Sequence, residues 1–244
     1  MGAWSRLAGD IFLDWLRPRS GLRWLDIGCG NGAFTQLLIE RMGPVEVHGI
    51  DPSEGQLAYA RARPAMRAAV FQRGDAMALP YADHRFDEAV MALVIVFVSD
   101  PLKGIEEMVR VVLPGGTVAA YVWDMDGGGS PLELILGELR AMGCQPPRPP
   151  QQAASHEEVL RDLWTRTGLE AVETCTIKVH RRFVSFEEFW RVNLMGSTVG
   201  PVVAALGSAD AATLKSRVKR HLSACSGPLT CSASANAIRG RVRL

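Results

Sequence analysis

Trp24-Leu-Asp-Ile-Gly-Cys-Gly-Asn-Gly-Ala33 sets glycines at 28, 30 and 32 between a short apolar run and the start of a helical pattern. Only glycine lets a backbone turn so sharply and come so close to a ligand. Such a turn lies at the carboxyl end of a strand, beside the crevice where open α/β sheets bind ligands. Asp51 stands 21 residues past Gly30, at the end of the next strand, where it can accept hydrogen bonds from ribose hydroxyls. A nucleoside ligand is implied. Asp26 puts a carboxylate near the mouth of the site, awkward beside a pyrophosphate but useful near a cation or amino group. Asp75, after the third strand, is placed to accept from an adenine amino group. Gly28-x-Gly30-x-x-Ala33 also satisfies the permissive dinucleotide fingerprint, so the glycines leave NAD and other adenosine cofactors open. Hydride transfer in the short-chain manner would add Tyr-x-x-x-Lys, yet the residues four after Tyr59, Tyr81 and Tyr121 are Arg63, Arg85 and Met125.

The elements that must hold these residues alternate regularly. Leu22 to Ile27 reads as strand one, and a helix from Ala33 stops at Gly43-Pro44. Val45 to Ile50 is strand two, and Ser53-x-x-Gln56 is a capping box for a helix running to about Arg63. Ala69 to Arg73 and Glu88 to about Ile95 are strands three and four, the latter almost continuously apolar, as a strand buried on both faces must be. Asp100-Pro101 opens a helix, and Thr117 to Trp123 is strand five after Leu113-Pro114-Gly115-Gly116. A helix from Ser130-Pro131 precedes Pro146-Pro147-Arg148-Pro149-Pro150, a surface connection. Ser155-x-x-Glu158 caps a further helix that Gly168 stops, and a long strand, Ala171 to Phe183, follows. Ser185 to Leu222 is a mostly helical insertion before a last strand, Leu229 to Val242. Strands alternating with helices across short turns predict a doubly wound α/β fold with a mostly parallel sheet.

Composition sets the outer bounds. With 244 residues, 48% hydrophobic and 22% charged, the chain can build one substantial core, so a single domain over 1–244 is expected. Lys plus Arg number 27 against 26 Asp plus Glu, which leaves no overall footprint for a nucleic-acid backbone. The longest apolar run, Ala89 to Val98, is well short of the ~20 residues that span a bilayer. Arg6, Asp10 and Asp14 interrupt any leader-like stretch, so a cytoplasmic location is expected. Cys29, Cys144, Cys175, Cys225 and Cys231 show no metal or disulfide spacing.

Leu25-Asp-Ile-Gly-Cys-Gly-Asn-Gly32, Gly49-Ile-Asp-Pro-Ser53, Gly74-Asp-Ala76, Phe86-Asp87 and Leu113-Pro-Gly-Gly116 occur in order. In this the chain resembles the class I S-adenosylmethionine-dependent methyltransferases, most of all the small-molecule branch that includes the quinone-biosynthesis enzymes. The resemblance is close from Leu22 to Trp123 and holds in outline beyond. It implies a Rossmann-like, seven-stranded sheet with an antiparallel last strand and S-adenosylmethionine as cofactor in the half formed by residues 1–143. Asp26, Gly28, Gly30 and Gly32 would form the turn at the methionine end and Asp51 would hold the ribose. Pro52 and Ser53 would flank the adenine, Asp75 and Ala76 would fix its amino edge, and Ala92 and Leu93 would meet the methionine amino group. Asp87 would be structural. Related enzymes often carry a histidine or another polar residue after strand four, whereas this chain has Val96 and Phe97, a departure that leaves open whether this loop supplies a general base.

The expected reaction is methyl transfer by in-line displacement to a small, partly apolar acceptor, in which the protein chiefly positions the reactants. Phe97, Trp123 and Asn193 are candidate acceptor walls, with the N-terminal helix around Trp4 to Trp15 and the Ser185 to Leu222 insertion as covers. No residue is singled out as catalytic. A nicotinamide-dependent oxidoreductase and a protein that binds S-adenosylmethionine without turning it over are the alternatives. Asp124 and Asp126 read as solvated loop residues rather than a metal site, and Lys215 to His221 as a solvated helix face. Arg239, Arg241 and Arg243 read as an exposed edge of the last strand, and His156 and His180 as structural.

Overall fold

The structure is a computed structural model and describes residues 2–196, 198–223 and 229–244. Its first half runs α1 (Gly2–Leu16), β1 (Arg23–Ile27), α2 (Ala33–Met42), β2 (Glu46–Asp51), α3 (Glu54–Arg61), β3 (Ala69–Arg73), β4 (Phe86–Ala92), α4 (Pro101–Val111) and β5 (Val112–Trp123). The second half adds α5 (Glu133–Ala141), α6 (Glu157–Arg166), β6 (Glu170–Phe183), α7 (Phe186–Leu194), α8 (Gly200–Ala204), α9 (Ser208–Ser223) and β7 (Leu229–Arg241). One seven-stranded sheet has the order β3-β2-β1-β4-β5-β7-β6. The ladders among β1 to β5 are parallel, and β7 runs antiparallel to both β5 and β6. Between β1 and β4 the winding reverses, which opens a crevice at the carboxyl ends of these strands.

β5 illustrates how the sequence fills both layers. Successive side chains of a strand point to opposite faces. Val118, Ala120 and Val122 pack with Ile105 and Met108 of α4 and Leu160 and Trp164 of α6. Ala119, Tyr121 and Trp123 pack on the other face with Trp4 and Phe12 of α1, Phe34 of α2 and Ile135 of α5. The insertion also packs on this second face, through Phe189, Val203, Leu214 and Val218.

Local chemistry sets most boundaries. Ser53 Oγ accepts from the Gln56 N–H, Asp100 Oδ1 from Lys103 and Ser185 Oγ from Glu188, so three caps lie where the spacing predicts them. Elsewhere the structure differs. α3 ends at Arg61, because Pro64 starts a separate 3-10 turn. β4 stops at Ala92 rather than Ile95, since Leu93 turns left-handed (φ 66°) and Ile95–Phe97 forms a 3-10 turn. β5 already pairs from Val112. α5 begins at Glu133, after Ser130 Oγ has accepted from the Leu132 N–H. Ser155 does not cap α6. It is buried in a 3-10 turn, its Oγ accepts from Met125 and its carbonyl from Asn236, and His156 takes the cap position. β7 is no edge, because it lies between β5 and β6. Cys225 lies outside the described residues. Among the described residues no helix is long and apolar enough to cross a membrane.

Candidate active site

The crevice at the sheet's switch point is a cleft of ≈ 580 Å³. Its floor is the glycine turn, where Gly28, Gly30 and Gly32 have φ of 69°, 52° and 77°. Gly28 and Cys29 donate their N–H groups to the Ile50 carbonyl at 2.7 and 3.0 Å, which ties the turn to β2. A Cβ at Gly28 would fall 2.4 Å from Val94 Cγ1, so this glycine permits close packing. A Cβ at Gly30 would meet nothing within 4 Å, so the open space of the cleft begins there. Gly32 faces away from the cleft, against Met66 and Phe71, and starts α2.

Three carboxylates mark the cleft. Asp51 accepts the Gly30 N–H at 2.9 Å on one oxygen and the Ser53 N–H at 2.8 Å on the other. Each oxygen keeps a lone pair for a further donor. Asp26 is fully buried; its Oδ2 accepts from Thr35 Oγ1 at 2.6 Å, and its Oδ1 has no partner. Desolvation pushes its pKa up to about 7, against the pull of the Thr35 hydrogen bonds and with a further push from Asp51. Asp75 accepts the Met77 N–H at 2.9 Å and lines the cleft beside Ala76. Ala92, Leu93 and Pro52 complete the predicted residues found in the wall. Ser53 does not line it, since its hydroxyl is spent on the α3 cap. Gln56 and Tyr121 line the cleft without having been singled out from sequence.

Leu93 stands where two recesses at this end of the sheet meet. A branched side chain in the left-handed region is a strained choice, held here by the Leu93 N–H bonded to the Tyr121 carbonyl at 2.8 Å. Leu93 lines the cleft and also a neighbouring cavity of ≈ 700 Å³. Ser5 of α1 and Phe97 are the other residues common to both recesses.

The second cavity lies over the carboxyl end of β5. Phe97 and Trp123 line it as expected. Asn193 does not; it is 4% exposed and donates from Nδ2 to the Phe189 carbonyl of its own helix at 2.7 Å. Among the described residues of the insertion, Thr198 alone reaches the wall. The cavity's other walls include Met125 and Asp126, the α5 cap residue Leu132 with Leu136 and Arg140 on the helix, and the segment Gln145 to Pro150. Sequence reasoning missed both of the latter. The spacing of Leu132 and Leu136 suits one helical face, but nothing local to these residues says that this face or the proline run meets Trp123. Among its ionic groups Arg140 pairs with Glu133. His156 Nε2 lies 2.6 Å from Asp126 Oδ2, and this contact, with the Gln152 amide, holds the Asp126 carboxyl below its usual range.

The chain's residues 25–120 match the model of the methyltransferase domain family. Over 115 residues it is 36% identical to the ubiquinone/menaquinone biosynthesis C-methyltransferase UbiE of Roseobacter denitrificans, which covers 46% of each protein. Over 102 residues it is 40% identical to the demethylmenaquinone methyltransferase of Staphylococcus aureus, covering 41% of this chain and 42% of that protein. Each match therefore spans less than half the length of the curated relative. The solved structure of a SAM-dependent methyltransferase from Thermotoga maritima, described as a possible histamine N-methyltransferase, is similar with a TM-score of 0.58 at 20% identity. That likeness covers 99% of this chain and 91% of the other. Sheet order, glycine turn and family match together give this chain the fold of the class I S-adenosylmethionine-dependent methyltransferases.

Proposed function

We propose that the chain transfers the methyl group of S-adenosylmethionine to a small, partly apolar molecule bound in the second cavity. The observation that carries this reading is the shared wall of Ser5, Leu93 and Phe97, which sets a cofactor-sized cleft directly beside a separate small-molecule cavity. Such adjacency is what a displacement between two bound molecules requires.

The residues of the cleft fit the cofactor. The orphaned Oδ1 of Asp26 lacks a positive or donating group, which an amino group supplies. The open space above Gly30 admits a ligand against the backbone, and Asp51 and Asp75 retain acceptor capacity for ribose hydroxyls and an adenine amine. When bound, the cofactor supplies a methyl group already activated on a sulfonium. The chain's own residues then bind and orient. Trp123, Phe97, Met125 and the proline segment give the acceptor a largely apolar wall. The relatives named for quinone substrates match only in the cofactor half, so they support the cofactor more than the acceptor.

Calorimetry with S-adenosylmethionine, S-adenosylhomocysteine and NAD tests the cofactor, and transfer of a labelled methyl group to a small-molecule library tests the reaction. Saturable binding of the first two and labelled product are expected. Saturable NAD binding with no response to S-adenosylmethionine would overturn the reading, and cofactor binding with no labelled product across the library would reduce it to a binding protein.

A further inference from the structure

At the end of the sheet opposite the cleft lies a third recess, of ≈ 600 Å³. It is bounded by the turn from α1 to β1, the first residues of β4, β5 and β6, and the last residues of β7. Four arginines line it, Arg17, Arg19, Arg239 and Arg241, against three acids, Asp87, Glu88 and Glu173.

The acids do not neutralise the arginines. Asp87 is committed to Arg23, whose backbone N–H and Nε lie 2.8 and 3.0 Å from Oδ2. Glu173 is committed to Arg239, at 2.7 Å. Glu88 is buried in the floor with Oε2 lacking a partner. Desolvation lifts its pKa to about 8, against the pull of Thr117, Arg241 and Arg239, so near neutral pH it is mostly uncharged. Arg17, Arg19 and Arg241 make no hydrogen bond or ion pair through their side chains with another described residue. In a chain of net charge +1, three guanidiniums without an ion-pair partner among the described residues are a local excess at one recess.

The backbone is bent to this shape at two non-glycine positions. Arg17 has φ 50° just past α1, where glycine is the unstrained choice, and Ala171 has φ 49° at the register shift that opens β6. Both residues line the recess.

We propose that this recess binds a compact, multiply charged anion, a small phosphate-bearing molecule, with Arg17, Arg19 and Arg241 as its counter-charges. Arginine's planar fork of donors suits phosphate oxygens. A nucleic-acid strand would instead call for cations spread along a groove with aromatic platforms, and the residues lining this recess include no aromatic ring.

The test is calorimetric titration of inorganic pyrophosphate into the full chain at fixed ionic strength. One saturable site is expected, weakened about tenfold or more in Arg17→Ala/Arg241→Ala, the usual effect of removing charge-assisted hydrogen bonds. Arg67→Ala/Arg182→Ala removes the same net charge elsewhere and should bind like the wild type. Glu88→Gln, uncharged and of the same shape, should also bind like the wild type. If the double recess variant does not fold, as judged by thermal unfolding, Arg19→Ala alone carries the test with the same expected direction. No saturable binding, an equal loss in both double variants, a tenfold loss in Glu88→Gln, or recess-dependent binding of a single-stranded RNA oligonucleotide but not of pyrophosphate would each overturn the proposal.

Discussion

Asp26→Asn should make the free protein more stable at pH 8 while weakening its hold on the cofactor. The Asp26 carboxyl moves from 3.8 to about 7 on folding because it is fully buried. Its folded pKa is raised, so the folded state disfavours the ionised form. The penalty is absent below pH 3.8, grows as pH rises, and is complete above about 7. A shift of about 3 units corresponds to ~4 kcal/mol at pH 8, and the partial titration at pH 5 to ~2 kcal/mol. Asparagine removes this penalty, keeps an acceptor for Thr35, and leaves an amide N–H₂ without a partner in place of Oδ1, at ~1–3 kcal/mol. The net gain is therefore ~1–3 kcal/mol at pH 8 and about zero at pH 5. Urea unfolding of wild type and variant at the two pH values measures it. Calorimetry with S-adenosylhomocysteine should find the variant ~10–100-fold weaker, since the charge-assisted contact proposed for the amino group would be lost. A stability difference that is the same at pH 5 and pH 8, or an unchanged affinity, would refute the reasoning.

Gly28→Ala should destabilise by ~2–5 kcal/mol, combining left-handed strain with overpacking against Val94, while Gly30→Ala costs only the ~1–2 kcal/mol of strain. Thermal melts of both, with Val94→Ala added to the first to recover the overpacking share, check the split. Asp51→Ala should weaken S-adenosylhomocysteine binding by ~1–3 kcal/mol, because it removes both the ligand acceptor and the bond that holds Gly30; an unchanged Kd would move the ribose contact elsewhere. Asn193→Ala should lower the unfolding midpoint yet leave the KM for any acceptor unchanged, since Asn193 is spent on the Phe189 carbonyl.

The first half of the sheet and the glycine turn were legible because their signals are local. Strand, glycine turn and helix follow one another within a few residues, and Asp51 needs only the next strand end to reach Gly30. The second cavity is assembled from segments distant in sequence, so α5 and the proline segment gave no periodic hint that they face Trp123. Asn193, expected as an acceptor wall, lies four residues after Phe189 and shares that residue's buried face. Ser155 has the cap spacing, but its hydroxyl is taken by the distant Met125 N–H and its carbonyl by Asn236, so His156 stands at the cap position instead. Strand order is likewise absent from a strand's own pattern. The nearly continuous burial of Ala235 to Ile238, however, marks an interior strand rather than the edge that the arginines suggested.

The position of β7 between β5 and β6 imposes an order on folding. β6 precedes β7 in the chain, yet its only ladder in the sheet is with β7. Until β7 docks, β6 has no strand to pair with, and β5 presents an open row of amides and carbonyls to solvent. β7 then closes two ladders at once, after the whole of α7, α8 and α9 has been threaded past. Non-local pairing of this kind is slow, and an exposed strand edge invites pairing with another chain. Refolding at high protein concentration should therefore lose its yield at this step, and a peptide copying Leu229–Arg241 should trap the intermediate by occupying the gap.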